Sequence, residues 1–194
     1  MATGKSDPQG GAPASLSLGL VLGFYGLMGA AALVWRLWAD GVLPWEESPG
    51  SAVLPLPGRA AAGLAVGAAL VVASRVATAR SAAGRALAAE LGRLIGPLGT
   101  GRAVALALVS GLAEEAFFRG ALQPRVGVVA ATLLFAAAHF VPTRTLRSWA
   151  LFALVAGAGF GALFAATGDL LAPFLAHALV NGLNLRWLGK RSAQ

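Results

Sequence analysis

Three short constellations bring together acid, base and hydrogen-bonding side chains: Glu114-Glu115 with Arg119, His139 preceded four residues earlier by Phe135, and His177 with Asn181. Carboxylates and imidazoles move protons, while imidazole N–H and Asn amide groups stabilise negative charge as it develops. A carboxylate held in apolar surroundings among such groups suits a general base. Helical spacing divides the labour. Glu115 and Arg119 stand four residues apart on one face and can pair, whereas Glu114 points about 100° away, without that partner and free to take up a proton. His177 and Asn181 also share a face, which Asn184 extends by a turn. Each group has a structural reading as well: a single Glu–Glu–Arg ion network, one satisfied histidine, and interhelical hydrogen bonds from His and Asn.

The elements that must carry these residues are apolar. Hydrophobic residues make up 57% of the 194-residue chain and charged ones only 12%, and mean hydropathy is +0.73. Lipid is the solvent such a chain needs. The absence of cysteine excludes disulfides, thiolate catalysis and Cys-ligated metal. A charge of +7 can signal nucleic acid, but here the arginines sit between apolar runs, as in the loops of a membrane protein, and no nucleic-acid partner is expected. Stretches of ~20 apolar residues, the length that crosses ~30 Å of hydrocarbon, suggest six spans near 15–38, 60–79, 103–123, 126–141, 148–167 and 170–188. The expected fold is an all-α, polytopic transmembrane helical bundle, with 26 glycines suited to close helix contact. Residues 1–14 read as a disordered tail, 15–79 as two N-terminal spans, 103–188 as the catalytic core and 189–194 as a C-terminal tail.

Arg75, Arg80, Arg85, Arg93 and Arg102, then Arg144 and Arg147, then Arg186, Lys190 and Arg191 mark one side as cytoplasmic, which puts both termini there. Residues 80–102 form a basic connector whose stretch 81–95 suits either a helix lying on an anionic surface or a solvated link. All three constellations fall inside spans, where ionisable groups are costly and usually functional. At ~1.5 Å per residue, Glu114 lies ~18 Å into its span, and His177 and Asn181 ~12 and ~18 Å into theirs, near one level. His139 comes out roughly two turns lower, so tilt or a helix break must bring it to the others.

Taken in order on successive spans, Glu114-Glu115-xxx-Arg119, Phe135-xxx-His139 and His177-xxx-Asn181 resemble the signature of the CPBP intramembrane proteases. That family includes the CAAX prenyl endopeptidases of Rce1 type and bacterial Abi proteins. The likeness covers about 112–185, with a shorter connector after the double Glu that carries only Arg125. It implies an intramembrane endopeptidase in which Glu114 activates water, His139 helps to position or deprotonate it, His177 and Asn181 stabilise the oxyanion, and Glu115 and Arg119 hold the carboxylate helix in register. It implies no cofactor, or else zinc on Glu114, His139 and His177. The implied partners are the bilayer and a membrane-anchored protein or peptide substrate. Ala, Gly and Arg bias points to a GC-rich bacterium, hence to its inner membrane. A silent scaffold or immunity protein and a proton-coupled transporter are the alternative functions.

Overall fold

The computed structural model describes residues 18–46 and 54–192, and within them every regular element is helical. The tail expected at 1–14 and part of the loop after the first helix lie outside the described residues. In chain order the helices are α1 (Leu18–Asp40), α2 (Leu56–Arg80), α3 (Ala82–Ile95), α4 (Thr100–Glu115), a π-helical segment (Ala116–Leu122), α5 (Gln123–Ala138), α6 (Arg147–Thr167) and α7 (Leu171–Arg191).

Local sequence explains the boundaries. Prolines at the start of α2 occupy positions where a missing N–H costs nothing. Ser81 ends α2 and caps α3, accepting from the Gly84 amide at 2.9 Å. At the start of α7 an Asp169 oxygen accepts from the Leu171 amide at 3.0 Å. Helix α7 runs on to Arg191, so the segment expected as a tail from 189 begins as helix.

Four described helical runs are long and apolar enough to cross a membrane: Leu18–Asp40, Leu56–Arg80, Thr100–Ala138 and Arg147–Thr167. The six-span reading differs from this in two places. Its third and fourth spans form one 39-residue helical run, broken at Gly127 (φ 80, ψ 165), after which α5 folds back against the π segment and α6. Its sixth span exists as the 21-residue α7, but His177, Asn181, Asn184 and Arg186 lower its hydropathy. The protein is thus an integral membrane helical bundle, with large apolar side chains such as Leu27, Val129 and Leu151 turned outward.

Helix α7 stands at the centre, packed against α2, α3, α4 and α6. Small residues permit this. A Cβ on Gly67 would come within 2.9 Å of the Ala176 carbonyl oxygen, and Gly63 meets Ala172 one turn away in the same manner. This Gly-xxx-Gly face against Ala-xxx-Ala brings two backbones together without a hydrophobic driving force. The two ends of the bundle differ in charge. At one, Arg59 pairs with Asp169, and Arg125 meets Asp40 at 2.6 Å. At the other, Arg75 donates to the Leu183 carbonyl at 3.0 Å and lies 4.0 Å over the Trp187 ring, and Arg191 flanks the same ring.

Candidate active site

Glu114 and Glu115 end α4, and both are buried. Their side chains diverge as helical spacing requires. Glu115, with no exposed surface, meets Arg119, whose Nε lies 3.2 Å from its Oε2 as an ion pair. Arg119 also donates from Nη2 to the Gly157 carbonyl of α6 at 3.0 Å and lies 4.3 Å over the Phe135 ring. A guanidinium only 1% exposed is thus matched by a charge, a carbonyl and an aromatic face.

Glu115 has a second partner. Its Oε1 lies 2.6 Å from His177 Nδ1, and the His177 ring stacks on Phe160 with centroids 4.9 Å apart. Because a carboxylate accepts, the ring places its proton on Nδ1, and Nε2 turns toward Glu114 Oε2, 3.9 Å away. His139 follows the same rule. Its Nδ1 meets the Phe135 carbonyl at 2.8 Å, and its Nε2 lies 3.7 Å from the same Glu114 oxygen. Phe135 and Trp149 confine that ring, leaving 18% of the side chain exposed.

The centre of the site is therefore Glu114 Oε2, buried and without a hydrogen-bond partner in the protein, faced by two imidazole nitrogens. In the neutral rings all three atoms are acceptors. Such a set suits a donor placed among them, and water supplies two O–H groups. Asn181, one turn beyond His177, donates one amide proton to Ser110 at 3.0 Å and keeps its second.

The six residues expected at the site are placed as follows. Glu114, His139 and His177 converge on one point, Glu115 and Arg119 back them, and Asn181 stands against α4 at Ser110. The expected two-turn offset of His139 is absent because the wider π segment and the break at Gly127 return α5 to the level of Glu114. Sequence reasoning missed Ser110, one turn before Glu114, and Tyr25, whose phenol lies against the Glu114 carboxylate. A signal existed for Tyr25: it is the chain's single tyrosine, set in an apolar span.

The fold and site thus describe a membrane helical bundle with Glu and His side chains gathered in its core. Residues 97–183 match the family model described as type II CAAX prenyl endopeptidase Rce1-like, a stretch that contains Glu114, Glu115, Arg119, His139, His177 and Asn181. Over this stretch the chain is similar to the Rce1-like family. It is also 40% identical over 80 residues to the protein described as "Uncharacterized protein YpbD" of Bacillus subtilis (strain 168), a match covering 40% of this chain and 41% of that relative. The match thus spans about two-fifths of the relative's length. No solved structure matches the chain.

Proposed function

We propose that the protein is an intramembrane endopeptidase that hydrolyses a peptide bond of a membrane-associated substrate with water activated by Glu114. The observation that carries this reading is the buried, unpartnered Oε2 of Glu114 facing Nε2 of both His139 and His177. Water held there donates to Glu114 and to one imidazole. As its oxygen attacks the carbonyl carbon, Glu114 takes the proton, and the carbonyl electron pair moves onto oxygen. His177, oriented by Glu115, and the second amide proton of Asn181 are the groups for that oxyanion. His177 serves there once its Nε2 carries a proton. When the C–N bond breaks, the proton held by Glu114 passes to the leaving nitrogen, giving a carboxylic acid and an amine. A substrate helix must unwind locally first, since a helical backbone keeps its carbonyls occupied. The compositional hint favours a bacterial membrane-anchored or secreted protein as substrate.

The test is cleavage of quenched fluorescent peptides by the purified protein in detergent. Glu114→Gln should lower the rate by about 10²–10⁴-fold, and His139→Ala should also lower it, with both variants folded. A Glu114→Gln variant that cleaves like wild type would overturn the reading. A chelator arm separates the zinc alternative: Glu114-dependent cleavage that survives chelation is metal-free, and cleavage lost on chelation and restored by zinc assigns Glu114, His139 and His177 to a metal.

A further inference from the structure

The water-activating carboxylate needs its orientation fixed, and the groups described so far do not fix it. Arg119 is committed to Glu115 and Gly157, Asn181 to Ser110, and both histidines turn lone pairs toward Glu114. An isolated carboxylate among acceptors could rotate about its last torsions and present either oxygen. A donor on another side would hold it.

Helix α1 supplies one. From Leu18 to Val34 its side chains are apolar except Tyr25, whose phenol lies within electrostatic reach of the Glu114 carboxylate. The helix is placed by a narrow stripe. A Cβ on Gly29 would stand 3.9 Å from that of Ala113, the neighbour of Glu114, and Ala32 is fully buried with Ala116 and Ala121. Tyr25 is one turn from Gly29 and two from Ala32 along this stripe, so the packing that seats α1 on α4 also points the phenol at the site. A hydroxyl in lipid surroundings is costly without a partner, and Glu114 is an acceptor within its reach.

We propose that Tyr25 is a positioning residue for the reaction: its O–H donates to Glu114 and holds Oε2 turned toward His139 and His177. This rests on the assignment of Glu114 as the base, and the experiment separates the two. Tyr25→Phe keeps the ring and its packing, so the protein should fold with an unchanged thermal midpoint, KM should be nearly unaltered, and kcat should fall about 10-fold or more, the effect expected for a hydrogen bond to a charged group. Because the chain has one tyrosine, 3-fluorotyrosine labels this site alone, and its fluorine resonance should move when Glu114 is changed to Gln. A kcat equal to wild type in Tyr25→Phe, or a fluorine resonance indifferent to Glu114→Gln, overturns the inference. Cleavage that persists in Glu114→Gln overturns the assignment of the base instead, and the resonance, read without substrate, still decides the contact.

Discussion

Glu115 touches nothing that reacts, yet several neighbours depend on it. One face binds Arg119 and the other fixes the proton of His177. On the proposed mechanism the two adjacent acidic residues have separate tasks: Glu115 holds the site and Glu114 is left open for chemistry. Arg119→Met would leave Glu115 buried without a counter-charge and should destabilise the protein by about 3–5 kcal/mol. Adding Glu115→Gln removes the stranded charge, so the double variant should recover much of that loss in unfolding experiments in detergent. Its cleavage should stay well below wild type, because a neutral amide orients His177 less firmly than a carboxylate does. A double variant no more stable than Arg119→Met would show that the pair is not what the carboxylate needs.

At the scale of elements, some of the site was legible and some was not. Spacing of four residues foretold the Glu115–Arg119 pair, the divergence of Glu114 and the shared face of His177 and Asn181, because these follow from the pitch of a helix. The placement of His139 did not follow, since it depends on a π segment and on Gly127, and a single glycine between valines carries no periodic signature. The polar stripe of α7 was read as chemistry, and the same residues take that helix below the hydropathy of a free-standing span. Gly127→Ala isolates the break. A Cβ there meets nothing within 4 Å, so any cost comes from a φ of 80° that suits glycine, roughly 1–3 kcal/mol. The thermal midpoint should drop, and cleavage should fall with it as α5 moves His139 away from Glu114. Gly101→Ala, in the first turn of α4 and equally uncrowded, should leave both unchanged. Equal behaviour of the two variants would remove the break from the account of the site.

At the scale of the whole molecule, cohesion is uneven. Helix α7 is gripped by four neighbours, and the α2–α7 contact closes down to backbone against backbone. Helix α1 has one fully buried residue, Ala32, in its 23. Membrane insertion keeps such a helix in the bilayer, and its hold on the bundle is a narrow one, the Gly29–Ala32 stripe and the Asp40–Arg125 pair. Warming should therefore release α1 before the rest loosens, since regions with few buried contacts open first. If Tyr25 steadies the base, the molecule carries its own thermal cut-out: cleavage should fade, reversibly, at temperatures where circular dichroism still reports full helix content. Activity and helicity that vanish together would show α1 to be as firmly held as its neighbours.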